Sequence, residues 1–255
     1  MKYTFLATLI TALLSLSPST SFSGPLHDMA NEGNLQAVEN LVAQGVNINA
    51  KDEEGWTALH QAAFAGQEKI VDFLLDKGAN VAAKDGTGNT PLYRAAEGGS
   101  SKIAKALIDK GAYVESRDEN GVTPLMMAAV QGYIAIAKLL IENKADINGI
   151  DNFGNTALNW VAFQGELLMA KFLLSKGADV TLRDKKGNTP LHVAVVGRKK
   201  ALAEILLDHG ADVNATIPDG ATPLDLANAN GDHHLADFLI SRGAQSLTPS
   251  AGIGT

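Results

Sequence analysis

Gly187-Asn188-Thr189-Pro190-Leu191-His192 decides the reading of this chain, because its frame returns every 33 residues. The glycine recurs as Gly55, Gly88, Gly121, Gly154, Gly187 and Gly220 without a slip. Two residues on stand Thr57, Thr90, Thr123, Thr156, Thr189 and Thr222; four on stand Leu59, Leu92, Leu125, Leu158, Leu191 and Leu224. Pro91, Pro124, Pro190 and Pro223 lie between them, with Ala58 and Ala157 in the other two frames. A register kept this long marks a repeat architecture.

Each piece of the frame has a physical job. The Thr hydroxyl can cap the free N–H groups that open a helix. Proline fits the first helical position, where its missing N–H is not needed. Small residues such as Ala62-Ala63 and Ala128-Ala129 let neighbouring first helices approach closely. That helix closes at a glycine suited to the left-handed conformation: Gly66, Gly99, Gly132, Gly165 or Gly231. A second helix follows with an apolar stripe at helical spacing, as in Ile70, Val71, Leu74 and Leu75. It ends at Gly-Ala, and an extended turn then leads into the next Asp-x-x-Gly. Two positions break the pattern. Lys144 and Arg198 stand where other repeats place a closing glycine, which predicts local strain or rearrangement.

Period 33 with Gly-x-Thr-Pro-Leu-His resembles the ankyrin repeat, and the resemblance spans essentially all of residues 24–247. It implies an all-α ankyrin-repeat solenoid of helix-turn-helix units with β-turn fingers. Repeats are expected near 24–51, 52–84, 85–117, 118–150, 151–183, 184–216 and 217–247. Projecting the period backwards places Pro25-Leu26-His27 on the Pro-Leu-His triplet of a first repeat. The end repeats are rich in polar residues, Asp28, Asn31 and Glu32 in one and Asp225, Asn228 and Asp232 in the other, as caps require. Residues 248–255 read as a disordered small-residue tail.

The first 23 residues follow a different logic. Lys2 is their only charge, Thr4 to Leu16 is mostly apolar, and Pro18 breaks the run. Ser21 and Ser23 then occupy the −3 and −1 positions of a cut before Gly24, the layout of a cleavable signal peptide. The apolar core falls short of the roughly 20 residues that span a bilayer. An uncleaved anchor is the alternative reading. No cysteine follows the run, which excludes a lipid-anchored lipoprotein, and no later segment reaches transmembrane length. Residues 1–23 are therefore expected to be removed and the product to reside in the periplasm or outside the cell.

After that cut 20 basic and 28 acidic groups remain, a formal charge of −8, with no basic stripe. Nucleic acid is a poor partner for such a surface, since phosphate neutralisation dominates that binding. Extracellular proteins of animals often rely on disulfides, so the absence of cysteine tilts the compartment towards a bacterial periplasm. The triplet Asn214-Ala215-Thr216, a glycosylation sequon, keeps a eukaryotic origin open.

A catalytic reading finds no constellation. Without cysteine there is no thiol chemistry. His27, His60 and His192 share one column of the repeat, and the resemblance implies that they bond backbone groups of the adjacent turn. His233 and His234 are neighbours and lack the i, i+4 spacing of a helical metal pair. Asp52, Asp85, Asp118, Asp151 and Asp184 sit in Asp-x-x-Gly turns, one per repeat, which is turn chemistry and not a calcium site. No cofactor, metal or catalytic residue is expected, and the chain is read as a binding protein, not an enzyme.

The resemblance also implies where a partner docks: on the fingertips and on the concave face of the first helices. Those columns hold Trp56, Phe64, Arg94, Met127, Phe153, Trp160 and Phe163. Large aromatics at exposed positions would be interface anchors; for Trp160 and Phe163, packing beside Met127 is the alternative. Lys185 and Lys186 join the candidate surface. Fingertip charge changes sign along the chain, from Glu53, Glu54 and Glu119 to Lys185 and Lys186, which would orient a partner of matching polarity. The expected partner is another exported protein, such as a peptidoglycan hydrolase or toxin, bound by a chain that is monomeric when free. A secreted effector acting on a host protein, or a supporting partner of an envelope enzyme, are the alternatives.

Overall fold

The computed structural model describes residues 24–246; the expected signal segment and the tail lie outside the described residues. These fall into two compact units, one ending at Tyr113 and the other beginning at Val114. Among the described residues every regular element is a helix.

The first unit contains α1 (Pro25–Glu32), α2 (Leu35–Ala43), α3 (Ala58–Phe64), α4 (Glu68–Asp76), α5 (Pro91–Gly98) and α6 (Ser101–Asp109). They form three antiparallel pairs. First helices α1, α3 and α5 pack side by side, and second helices α2, α4 and α6 form the layer behind them. The second unit repeats the plan with α7 (Pro124–Val130), α8 (Ile134–Glu142), α9 (Ala157–Gln164), α10 (Leu167–Ser175), α11 (Pro190–Val196), α12 (Lys200–Asp208), α13 (Pro223–Ala229) and α14 (His233–Ser241). Here α9 lies between α7 and α11, and α11 between α9 and α13.

The capping expectation holds in every frame. Thr57, Thr90, Thr123, Thr156, Thr189 and Thr222 each adopt extended backbone and accept the N–H of the residue three positions on. Such a cap is worth about 1 kcal/mol. The short first helices are too brief to persist alone, so packing must hold them. Leu59, Leu92, Leu125, Leu158 and Leu191 are buried, as are Ala62, Ala63, Ala95, Ala96, Ala128 and Ala129. Small side chains let the helices meet closely: a Cβ at Gly98 would collide with the Phe64 carbonyl.

The fingers between repeats are joined backbone to backbone. Gly86 N–H donates to Glu54 O at 2.8 Å in the first unit. In the second, Asn152 N–H donates to Asn120 O at 2.8 Å and Lys185 N–H to Phe153 O at 2.9 Å. Lys144 and Arg198 keep the geometry of the glycines they replace, with φ of 74° and 56°. The register survives, and the cost appears as backbone strain on the order of 1 kcal/mol at each site.

Candidate functional site

The finger aspartates organise the surface from below. Asp85 Oδ1 accepts the N–H groups of Thr87 and Asn89; Asp151 Oδ1 accepts those of Phe153 and Asn155; Asp184 Oδ1 accepts those of Lys186 and Asn188. The other oxygen faces the first helix, at the residue nine positions on. Arg94 donates to Asp85 Oδ2 through Nη2 at 2.6 Å and Nε at 3.2 Å. Trp160 Nε1–H donates to Asp151 Oδ2 at 3.1 Å, and Gln61 reaches Asp52 Oδ2 at 3.4 Å. Met127 and Val193 stand at the same nine-residue spacing from Asp118 and Asp184 and have no side-chain proton to give.

Two neighbouring repeats therefore treat the same aspartate oppositely. Burial pushes the Asp85 carboxyl up, but the Arg94 guanidinium and the turn N–H groups more than reverse it, leaving it below the usual carboxylate range. Burial also raises Asp118, and the N–H groups of Val122 and Asn120 do not offset it; nearby Glu119 and Asp151 add to the rise.

His60 does the structural work expected of its column. Thr57 N–H donates to His60 Nδ1 at 3.1 Å, so Nδ1 carries no proton. Nε2–H then donates to the Asn89 carbonyl in the next finger at 3.1 Å. Burial holds this imidazole neutral, with its pKa lowered to about 4. His192 takes the same contact from Thr189 N–H at 3.2 Å, and burial lowers its pKa as well. His27 Nε2 lies 3.0 Å from Ala50 O and 3.1 Å from Trp56 O. Among the described residues no group of three or more His, Asp or Glu could hold a metal ion, and no helix is long and apolar enough to cross a membrane.

Comparison with known proteins agrees with this geometry. The family model for ankyrin repeats (3 copies) matches residues 26–118, 112–184 and 177–249. The chain belongs to the ankyrin-repeat family. Among solved structures it is similar to the human ASB11 ankyrin repeat domain, at 28% identity and a TM-score of 0.77. That match covers 90% of this chain and 100% of the other. It is also similar to the ankyrin repeat domain of Bcl-3, described as a unique member of the IκB protein family, at 28% identity and a TM-score of 0.73. There the coverage is 86% of this chain and 99% of that one. No curated protein matches the sequence significantly. Ankyrin repeats are protein–protein interaction modules, and this chain has their all-α fold.

The candidate residues separate once placed on that fold. Phe64, at the end of α3, is 39% exposed, and Phe153, at a fingertip, is 41% exposed. Lys185 and Lys186 are exposed on the next finger, while Trp56 and Phe163 are half-buried. The remaining three do not stand free in solvent. Trp160 and Met127 are each 3% exposed and Arg94 is 8% exposed. Arg94 and Met127, expected on the partner-binding columns, are thus covered, and Trp160 follows the packing alternative; for Arg94 and Trp160 the reason is the pairing with finger aspartates nine residues earlier. Arg94 is also locked from two further sides: Nη1 meets Glu97 Oε2 at 2.6 Å, and the guanidinium lies 4.0 Å from the Trp56 ring. Phe64 meets Trp56 edge-on at 5.8 Å. The ankyrin surface of the first unit is thus a supported aromatic pair, Trp56–Phe64, with acidic groups around it. Sequence reasoning missed Glu97 and Asp52 as members of this cluster; the nine-residue spacing from Asp to Gln or Arg was the available signal.

Proposed function

We propose that this ankyrin protein is exported, binds one exported enzyme such as a peptidoglycan hydrolase or toxin, and restrains it by covering its active-site cleft. The observation that carries the reading is one solvent-exposed phenylalanine ring in each unit, Phe64 at the end of α3 in the first and Phe153 at a fingertip in the second. Exposed aromatic rings of this size are typical interface anchors. Export rests on Lys2, the apolar run from Thr4 to Leu16, and Ser21 and Ser23 before Gly24. The protein acts by occupancy, not catalysis, because the titratable groups of the repeat columns are engaged in turns.

The test uses the tagged chain as bait against an envelope extract, beside a Phe64→Ala/Phe153→Ala variant with unchanged helical circular dichroism. One enzyme captured by the wild type, lost with the variant, and inhibited by added chain supports the reading. A captured enzyme whose activity is unchanged or raised would replace restraint with support. Recovery of the chain outside the producing cell, bound to a host protein, would replace it with the effector role.

A further inference from the structure

Charge is segregated by face in the first unit. The second-helix segments 35–43, 68–77 and 101–110 hold five carboxylates and five lysines, which cancel. Several are paired there: Lys102 with Glu68, Lys105 with Asp109, and Lys110 with Asp76. The first helices and fingers behave differently. Asp28 and Glu32 lie on α1, Asp52, Glu53 and Glu54 on a finger, and Asp85 and Glu97 on and beside the next. Against these seven carboxylates stand three cations, Lys51, Lys84 and Arg94. Arg94 is already shared between Asp85 and Glu97. Lys51 Nζ is spent on the Lys84 carbonyl at 2.7 Å. The whole net negative charge of residues 24–113 therefore falls on the face that carries Trp56 and Phe64.

We infer that the first-helix and finger face of this unit docks a basic segment of the partner, with an apolar side chain against Phe64 and Lys or Arg side chains among Glu53, Glu54 and Glu97. Complementarity of sign is the argument. Like charges brought to this face would be repelled, whereas a cationic segment is steered to it and its fixed aromatic pair supplies the apolar contact. An arginine or lysine stem can lie along the Phe64 ring while its head reaches the finger glutamates. The inference rests on this face being the partner-binding surface, and it adds the chemistry of what is bound.

The test titrates the full chain with two labelled probes by fluorescence anisotropy near physiological salt: a short peptide alternating lysine with leucine, and its glutamate–leucine counterpart. The lysine probe is expected to bind and the glutamate probe not. Glu53→Lys/Glu54→Lys should weaken the lysine probe about tenfold or more, and Phe64→Ser should weaken it by a similar factor. Glu68→Lys/Asp72→Lys changes the net charge equally on the second-helix side and should leave affinity within about twofold. Equal weakening by both charge variants, no effect of Phe64→Ser, or preference for the glutamate probe each overturns the inference. Those outcomes leave the proposed function standing if the envelope enzyme is still captured; a lysine probe that binds as expected while no enzyme is captured separates the two the other way.

Discussion

Replacing His60 by Asn should change how stability depends on pH, and the chain contains its own precedent. Asn159 occupies the His60 column in a later repeat and reproduces the cap: Oδ1 accepts Thr156 N–H at 3.3 Å and the Thr156 hydroxyl at 2.6 Å. Its Nδ2 is buried without a partner, so the amide is too short to cross to the following finger. His60→Asn should therefore keep the cap and lose the Nε2–H bond to Asn89 O, which still accepts the Asp85 N–H at 2.9 Å, and should leave a buried amide N–H without a partner, as at Asn159. The cost at pH 7 is about 1–3 kcal/mol. The sign of the pH effect follows from proton counts. His60 is lowered to about 4 in the folded state from 6.5. Between those values the unfolded chain holds a proton that the folded chain refuses. Stability is complete above pH 6.5 and falls as pH drops through the window, at about 1.4 kcal/mol per pH unit. By pH 5 the wild type should have lost about 2 kcal/mol through this residue alone, and His192 adds in the same direction. The assay is urea unfolding followed by circular dichroism at pH 7, 6 and 5. The gap between wild type and variant should narrow by about 2 kcal/mol over that range. A gap that stays constant, or widens, would show that His60 is not held neutral by burial and would refute the reasoning.

Other perturbations separate the roles of the finger aspartates and the strained turns. Arg94→Met imitates Met127 but strands Asp85, whose side chain is fully buried; unfolding free energy should fall by about 3–5 kcal/mol, with much of it restored in the double variant carrying Asp85→Asn. Asp118→Asn should raise the urea midpoint at pH 7, because the amide oxygen can still accept from Asn120 and Val122 while a half-buried carboxylate near Glu119 and Asp151 is removed. Lys144→Gly relieves a positive φ and should raise the thermal midpoint, gaining about 0.5–1 kcal/mol. Arg198→Gly should gain less, since it also removes the bond from Nη2 to Asn230 O.

Local structure followed from the sequence because it rests on chemistry that each repeat states by itself. Thr caps, first-position prolines and closing glycines act within a few residues, so the helices and turns could be placed from their spacing. Lys144 and Arg198 show how firmly the register holds: the turn geometry persists even where the favoured residue is missing. The surface was harder to read because exposure depends on contacts that span a finger and a helix. Trp160 occupies a column that also holds the hydrogen-bonding Gln61 and Arg94, yet its indole N–H is claimed by Asp151 and its ring is covered. Arg94, read as a partner-binding residue, is held between Asp85 and Glu97 instead. Phe64 and Phe153 are exposed because neighbouring repeats leave helix ends and fingertips uncovered. The sign of the first unit's face emerged only after each charged residue could be assigned to the first-helix or second-helix side.

The most direct test of the account is the affinity of the captured partner for the wild-type chain and for Phe64→Ala/Phe153→Ala, measured by calorimetric titration with the purified proteins. The account predicts a loss of at least about tenfold with an unchanged unfolding midpoint. Equal affinities for the two chains would place the partner on another surface and contradict the central claim.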